Sequence, residues 1–368
     1  MIHNEMRKHG IKLVLGYTVE GFKEKDNGVE VLLKDNPSLQ ADMVVLAIGV
    51  TPDTALAKEA GLELGIKGSI VVNDRMETSV PDIYAAGDAV QVKHYVTGDD
   101  ALISLAGPAN KQGRIIADNI CGGDSRYLGS QGSSVIKVFD MTAATTGINE
   151  TNAKKSGLDV DTVILSPMSH AGYYPGGKVM TMKVVFEKET YRLLGAQIIG
   201  YEGVDKRIDV LATAIHAGLK ATQLKDLDLA YAPPYSSAKD PVNMAGFMID
   251  NIAKGTLKQW HLEDMDKISK DKNVVLLDVR TVGEFNRGHM KGFNNIPVDE
   301  LRERISEIEK GKPVYLICQS GLRSYIASRI LEGNDYETYN FSGGFRFYDT
   351  VVNDRALIER AYACGMDY

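Results

Sequence analysis

The chain has 368 residues with an ordinary globular composition, 44% hydrophobic and 25% charged, and its length predicts two or three domains. A net charge of −7 without a basic cluster argues against nucleic acid as a partner, and no apolar run approaches the about 20 residues that cross a bilayer. Three cysteines without CxxC spacing argue against a disulfide framework or a structural zinc site, and the polar start contains no signal region, so a reducing, cytoplasmic location is expected.

The first region, residues 1–123, is interpreted as an incomplete nucleotide-binding fold. Its predicted elements are, in order, a helix over Met1–His9, a strand over Ile11–Leu15 and a hairpin of Val19–Glu24 with Val29–Leu33. The continuous apolar run Met43–Ile48 predicts a strand buried on both faces. No GxGxxG fingerprint occurs in the sequence, and this is the turn that binds a dinucleotide pyrophosphate. We therefore expect the second half of a dinucleotide-binding domain without its first half.

Two further domains are predicted after the glycine-rich linker at residues 121–125. Residues 133–254 combine four predicted strands with two helices, an α+β pattern: Val135–Phe139, Thr162–Ser166, Val179–Glu187, Leu193–Gly200, Gly203–Ala217 and Pro241–Ile252. Residues 258–368 alternate strand and helix, which is typical of a parallel α/β domain: Val274–Asp278, Val282–Arg287, Pro313–Cys318 and Arg323–Glu332.

The segment Cys318-Gln-Ser-Gly-Leu-Arg-Ser324 carries the clearest chemical signal. It follows an apolar strand and precedes an amphipathic helix, so the cysteine faces loop amides and the positive end of a helix dipole. Both favour the thiolate, which is the nucleophilic form. Gly321 permits a tight turn, and Arg323 adds a fixed positive charge. The alternative is a structural cysteine buried at the end of a strand.

This segment and its surroundings resemble the rhodanese domains. The flanking pattern also matches: Leu277–Arg280, Glu284–Phe285, Gly288–His289, Gly292, Asn295–Pro297 and Ser342–Phe345. The resemblance implies that Cys318 carries a persulfide in the loop that ends at Arg323, and that both residues are catalytic. Phe293 departs from the small residue usual in the family. We expect scaffolding roles for three other polar residues: Asp278, Glu284 and His289.

Three segments of the first region resemble flavoproteins with two dinucleotide-binding domains. They are Val44–Pro52, Thr78–Asp88 and Leu105–Arg114. The third segment resembles the CoA-disulfide reductase and NADH oxidase branch of these flavoproteins. It departs from that branch at Lys111, where arginine is commoner. The resemblance implies that Asp88 holds the ribityl chain of FAD, and it implies further cofactor contacts at Gly49, Gly87, Ala106 and Pro108. For Pro108 a second interpretation is the start of a helix, where proline is also favoured.

Two tyrosine-bearing segments, His170–Pro175 and Tyr231–Pro241, resemble the dimerisation domain of the same branch. The resemblance implies that Tyr173 and Tyr231 reach across a homodimer and donate hydrogen bonds near the substrate sulfur, a role suited to a phenol on a rigid arm. The alternative is that they are interface or core aromatics. Cys121 and Cys364 match no motif, and the redox cysteine of the family has no counterpart in the sequence.

Together these resemblances predict an α/β chain: a partial two-dinucleotide-binding flavoprotein fold, an α+β dimerisation domain and a C-terminal α/β rhodanese domain. They imply a homodimeric, FAD-dependent NAD(P)H oxidoreductase that reduces CoA disulfide, CoA persulfide or polysulfide, with a sulfur-carrier domain. The alternatives are a stand-alone sulfurtransferase and an inactive dimerising remnant. The sequence leaves open the choice between NADH and NADPH, because the selecting residue lies near the GxGxxG turn. It also leaves open the physiological sulfur acceptor and the ability of the chain to bind FAD.

Overall fold

The computed structural model describes the backbone of residues 1–364 and the side chains of residues 1–354. The chain folds as two compact units, one made mainly of residues 3–93 and 99–129 and the other mainly of residues 94–98 and 130–354. Among the described helices, none combines the length and the apolar character that a membrane span requires.

The first unit contains short elements joined by long connections. In chain order they are α1 (Ile2–Lys8), β1 (Val19–Lys25), β2 (Gly28–Leu33), β3 (Asn36–Ala41), α2 (Ala55–Glu59), β4 (Ile70–Val71), β5 (Val90–Lys93), β6 (Asp100–Ala101) and α3 (Ala106–Ile120). The predicted hairpin is confirmed: β1 and β2 pair antiparallel, and β3 extends them to a three-stranded sheet. A small second sheet has the order β4-β5-β6, and Met76, Val90 and Val92 form its buried core.

Two strands predicted in the first unit are not formed. Residues 11–15 and 43–48 have no strand structure. The prediction that the second run is buried on both faces is wrong, because Met43 is 76% exposed and Ile48 is 90% exposed. Among the described residues no strand pairs with this run, so its amide and carbonyl groups have no ladder to join.

The second unit begins with a five-stranded antiparallel sheet in the order β7-β8-β11-β10-β9. Its elements are β7 (Ser134–Val138), β8 (Met141–Gly147), α4 (Glu150–Lys155), β9 (Val160–Leu165), β10 (Met180–Glu187), β11 (Leu193–Gly200), α5 (Val204–His216) and α6 (Pro241–Ala253). The buried residues of β10 and β11 pack against the apolar faces of α5 and α6. β8 is an addition to the predicted elements, since its run of alanine and threonine lacks a clear alternation of apolar and polar residues.

The second unit continues with a five-stranded parallel sheet in the order β12-β16-β15-β13-β14. Its elements are β12 (Gln259–Trp260), α7 (Met265–Ile268), β13 (Val275–Asp278), α8 (Val282–Arg287), β14 (Asn294–Asn295), β15 (Val314–Ile317), α9 (Leu322–Glu332), β16 (Thr338–Phe341) and α10 (Gly344–Cys364). The central strand β15 sends Val314 and Leu316 to one buried face and Ile317 to the other. Both faces are covered, as expected of parallel sheets.

Specific polar contacts join the two sheets of the second unit. The amide of Ile164 in β9 donates to the hydroxyl of Ser342 at 3.0 Å, in a buried position. The imidazole of His261 lies 3.0 Å from the carboxylate of Asp161. Burial opposes ionisation of this carboxylate, but the hydrogen bond and charge of His261 lower the pKa of Asp161 below its usual value. The antiparallel sheet therefore contacts the segment that follows β16.

Candidate functional site

Cys318 lies at the end of β15, where the strand gives way to a tight loop and then to α9. Its side chain is buried on the same face as Val314 and Leu316. The sulfur accepts a hydrogen bond from the amide of Gly321 at 3.1 Å and one from the hydroxyl of Ser324 at 3.2 Å. Gly321 has a φ of +102°, a conformation that glycine adopts without a Cβ clash. The predicted arrangement of strand, loop and helix is present, and the sulfur is surrounded by donors.

The start of α10 holds the backbone of this loop in place. The amide of Phe345 donates to the carbonyl of Cys318 at 2.8 Å, and the amide of Arg346 donates to the carbonyl of Gln319 at 3.2 Å. Gly344 has a φ of +68°, and a Cβ atom there would come within 2.7 Å of both the Gln319 oxygen and the Ser320 nitrogen. The close approach of the two backbones therefore requires glycine at position 344.

A buried arginine, Arg280, supports the loop from the side of β13. The guanidinium of Arg280 binds both carboxylate oxygens of Asp278 and also donates to the carbonyl of Gly288 at 2.8 Å. It reaches the side-chain oxygen of Gln319 at 3.3 Å and lies 3.8 Å from the centre of the Phe345 ring. Arg280 thus connects β13 to the loop and to α10, and it compensates the buried charge of Asp278.

Arg323 is paired more tightly than its sequence position suggested. Its two terminal nitrogens donate to the two carboxylate oxygens of Glu284, each at 2.7 Å. The bidentate contact lowers the pKa of Glu284 to about 2, although partial desolvation opposes this, and it raises the pKa of Arg323. The fixed positive charge of Arg323 is therefore present beside the loop and is balanced by Glu284, which ties the start of α9 to α8.

The two predicted tyrosines are brought together in the antiparallel part of the second unit. The hydroxyl groups of Tyr173 and Tyr231 lie 2.8 Å apart, although 58 residues separate them in the sequence. The hydrogen bond raises the pKa of Tyr231. Both side chains are exposed, Tyr173 by 76%, so neither is a core aromatic in this chain. Their phenols are available to a molecule that binds at this surface.

A buried arginine that the sequence did not reveal positions the tyrosine segments. Arg207, on α5, binds the carboxylate of Asp240 at 2.9 Å and the carbonyl of Ser169 at 2.9 Å. It therefore links the segment before Tyr173 to the segment after Tyr231. A cavity of about 500 Å³ lies beside Tyr231 and is lined also by His170, Glu202 and Lys206. An arginine inside a helix is normally a surface residue, so the sequence carried no signal for this role.

Four of the five predicted cofactor contacts of the first unit, all except Gly49, lie in or beside the beginning of α3. The amide of Gly87 donates to the buried side chain of Gln112 at 2.8 Å, which holds the segment of Asp88 against this helix. The side chain of Asp88 is exposed, and so is Ala106 at the first position of α3, while Pro108 is half-buried in the first turn. Gly49 is exposed, at a φ of +101° with open space around it. The structure thus places Asp88 beside α3 and leaves its carboxylate accessible.

Three protein-family models match the chain in succession. Residues 1–113 match the pyridine nucleotide-disulphide oxidoreductase family, residues 133–241 match its dimerisation domain, and residues 261–349 match the rhodanese-like domain. An NAD(P)H sulfur oxidoreductase (CoA-dependent) from Pyrococcus abyssi is 38% identical over 66% of this chain and 54% of its own length. A coenzyme A disulfide reductase from Staphylococcus aureus is 37% identical over 67% of this chain and 55% of its own length.

Two solved structures are similar over nearly the whole chain. The crystal structure of reduced Bacillus anthracis CoADR-RHD has a TM-score of 0.93 and 46% identity, covering 96% of this chain and 63% of that one. An NAD-dependent persulfide reductase from A. fulgidus has a TM-score of 0.86 and 40% identity, covering 94% and 63%. The chain thus spans about half the length of the sequence relatives and less than two thirds of the structural ones. The predicted fold class is confirmed.

Proposed function

Because the chain belongs to the pyridine nucleotide-disulphide oxidoreductase family and carries a rhodanese-like domain, we propose that it serves in the FAD-dependent reduction, by NAD(P)H, of CoA disulfide, CoA persulfide or polysulfide. In this proposal Cys318 carries sulfane sulfur. The observation that supports it best is the buried sulfur of Cys318, which accepts hydrogen bonds from Gly321 and Ser324 in a loop held by α10. Such donors can stabilise the negative charge that the sulfur carries during transfer.

The proposed chemistry at Cys318 is transfer of one sulfur atom. The thiolate attacks the outer sulfur of thiosulfate, the S–S bond of thiosulfate breaks, and sulfite leaves with the electron pair. The cysteine persulfide anion that forms is then attacked at its outer sulfur by cyanide or by a thiolate, which releases thiocyanate or a new persulfide and restores the Cys318 thiolate. The donors around the sulfur stabilise the same negative charge before and after each step.

The residues near the start of α3 fit one part of a flavin. The exposed carboxylate of Asp88 can accept hydrogen bonds from sugar-like hydroxyls, and the amides of Ala106 and Gly107 at the start of α3 are not capped by a side chain. Pro108, the next residue, has no amide hydrogen and offers only its ring. We propose that these residues, with Gly87 and Gly49, contact FAD, whose bound flavin would supply two-electron chemistry between a nicotinamide and a sulfur acceptor. The proposed role of this chain is to orient the ribityl end.

We further propose that residues 133–254 form a homodimer interface and that Tyr173 and Tyr231 act there on a CoA disulfide or persulfide. The paired phenols keep one donor free for a ligand while the other donates within the pair. Exposed apolar side chains of the same segment support association, among them Ile136 and Phe247. The proposed boundaries remain residues 1–123, 133–254 and 258–368. Sedimentation at micromolar concentration that shows only monomers would contradict the dimer.

Sulfur transfer is tested with the full chain and two cysteine variants. Thiocyanate formation from thiosulfate and cyanide is measured for the wild type, Cys318→Ser and Cys121→Ser. We expect Cys318→Ser to lower the rate by about a thousandfold or more, because a serine hydroxyl is nearly the same size but a far weaker nucleophile. Cys121 is exposed in a linker and its replacement serves as the control, with an unchanged rate. Equal losses in both variants would contradict the assignment of Cys318.

A second candidate function is sulfur transfer without flavin chemistry. It is favoured by the contrast between the parallel sheet, which is buried on both faces, and the exposed run at residues 43–48. The two candidates differ in flavin content. Stoichiometric FAD in the purified chain, read from its visible absorbance, would support the oxidoreductase, whereas sulfur transfer by a colourless protein would support the second candidate. We expect weak FAD binding, because the sequence contains no GxGxxG turn for the pyrophosphate.

A further inference from the structure

The carbonyl oxygen of Gly321 has more donors than it can accept. The helical amide of Tyr325, the side-chain amide of Asn340 and the hydroxyl of Ser324 each lie 3.1 Å from this oxygen. A carbonyl oxygen has two lone pairs, so two of these donors satisfy it. The third donor is available for another acceptor.

Ser324 is the donor that can turn elsewhere. Its hydroxyl carries one hydrogen and lies 3.1 Å from the Gly321 oxygen and 3.2 Å from the sulfur of Cys318. The amide of Tyr325 is fixed by the geometry of α9, whereas the amide of Asn340 projects from the buried strand β16 onto the loop. With Tyr325 and Asn340 on the carbonyl, the Ser324 hydroxyl is directed to the sulfur.

The geometry points to Asn340 as a positioning residue of the proposed sulfur transfer: by donating to the carbonyl of Gly321, it leaves the hydroxyl of Ser324 free to donate to the Cys318 sulfur. This assignment rests on the proposed function of Cys318. It assigns to Asn340, which is 19 residues from Gly321, a role that acts only through Ser324. Because the site is buried, the hydrogen bond to a charged sulfur is worth more than one between neutral groups.

The chain supplies a matched control one turn further along the same helix. Ser328 is also buried, and its hydroxyl also donates to the carbonyl three residues earlier, that of Tyr325, at 2.7 Å. Its hydroxyl hydrogen is directed to this carbonyl and not to the sulfur of Cys318. Ser324→Ala and Ser328→Ala therefore remove the same chemical group from equivalent helical positions, and they differ in the contact with Cys318.

The experiment measures single-turnover release of sulfite from thiosulfate between pH 5 and 10 in the full chain. We expect Ser324→Ala to move the midpoint of the pH profile about one unit higher and to slow release about tenfold at pH values well below the midpoint, equivalent to about 1.4 kcal/mol. Ser328→Ala should keep the wild-type midpoint, and Ser324→Thr, which retains the hydroxyl, should restore it. Asn340→Ala should move the midpoint by a smaller amount, because the Ser324 hydroxyl can then turn to Gly321.

A double variant separates the role of Asn340 from a structural one. If Asn340 acts through Ser324, adding Asn340→Ala to Ser324→Ala produces no further shift of the midpoint, and the two effects are not additive. Equal profiles for Ser324→Ala and Ser328→Ala, or additive shifts in the double variant, overturn the inference. Thermal unfolding checks that each variant is folded. If Ser324→Ala is not folded, the test is made with Asn340→Ala, and a pH profile with the wild-type midpoint in that variant overturns the inference. Absence of sulfite release from the wild type would instead overturn the proposed function.

Discussion

Two apolar runs of similar composition differ in this molecule, since one forms a buried strand and the other is exposed and forms none. Residues 314–317 form the central strand β15, with β13 on one side and β16 on the other, and they are largely buried. Residues 43–48 form no strand and are mostly exposed. The comparison shows that an apolar run can form a buried strand only if neighbouring strands pair with it, and the run itself does not determine whether they do. Strand formation at Val314–Ile317 depends on two partners that the same chain provides.

The same contrast applies to the two sites. The Cys318 loop is held by contacts from the segment after β13, from β16, from α8 and from α10. The segment of Asp88 is held by a hydrogen bond from the amide of Gly87 to the side chain of Gln112, and the carboxylate of Asp88 is exposed. We therefore expect substitutions to have strong effects on the first site and weak effects on the stability of the region around the second.

After replacement of Cys318 itself, the largest effect on sulfur transfer is expected for Gly344→Ala. A Cβ atom at this position would meet two backbone atoms at 2.7 Å, so α10 must move away from the Cys318 loop. We expect thiocyanate formation to fall by about a hundredfold or more, through a misplaced thiol. The control is Gly61→Ala in the first unit, which has a similar φ of +76° but open space around it. It should cost about 1 kcal/mol of stability and leave transfer unchanged. Equal effects of both variants would contradict the role of close packing at the loop.

The second prediction compares the two apolar runs directly. Leu316→Ala removes a buried side chain of β15 and should lower the free energy of unfolding of the second unit by about 2 to 5 kcal/mol. Ile48→Ala removes a side chain that is 90% exposed and should change stability by about 0.5 kcal/mol or less. Urea unfolding followed by circular dichroism measures both. A loss above about 2 kcal/mol for Ile48→Ala would show that this run is buried in solution, which would break the comparison.

A pH-dependent effect on stability is expected for the ion pair between Glu284 and Arg323. The pKa of Glu284 is lowered from 4.5 to about 2, so the pair stabilises the folded state fully above about pH 4.5 and is lost as the pH falls toward 2. Glu284→Gln should therefore destabilise the protein by about 2 kcal/mol at pH 7 and by little near pH 2. Unfolding at both pH values tests this. A deficit that is independent of pH would show that the carboxylate charge is not the cause.

Arg323→Ala removes the other partner of the same ion pair and tests its effect on sulfur transfer. The variant leaves Glu284 without its bidentate partner and frees the beginning of α9. Because the charge of Arg323 is balanced by Glu284, we expect a loss of transfer of about tenfold or less, smaller than that of Gly344→Ala. A loss as large as that of Cys318→Ser would indicate that Arg323 acts on the reacting sulfur itself.

The sequence by itself determined the local elements of this protein. The hairpin of β1 and β2 follows from its turn residues, and the order of strand, loop and helix around Cys318 follows from an apolar run, a glycine and an amphipathic helix, all within one short segment. The sequence does not predict the strand β8, because alanine and threonine occur on both buried and exposed faces of a sheet. It is formed because β7 and β11 lie on both sides of it.

Only the tertiary structure decided which groups meet. The pairing of Arg323 with Glu284, the contact of Asn340 with Gly321 and the approach of Gly344 to the Cys318 loop join residues from separate elements. Sequence spacing does not encode such distances, because they depend on how strands and helices pack. The failure of residues 43–48 to form a strand has the same cause. Backbone hydrogen bonds of a strand are made to other segments, so an apolar run becomes a strand only where a partner lies beside it.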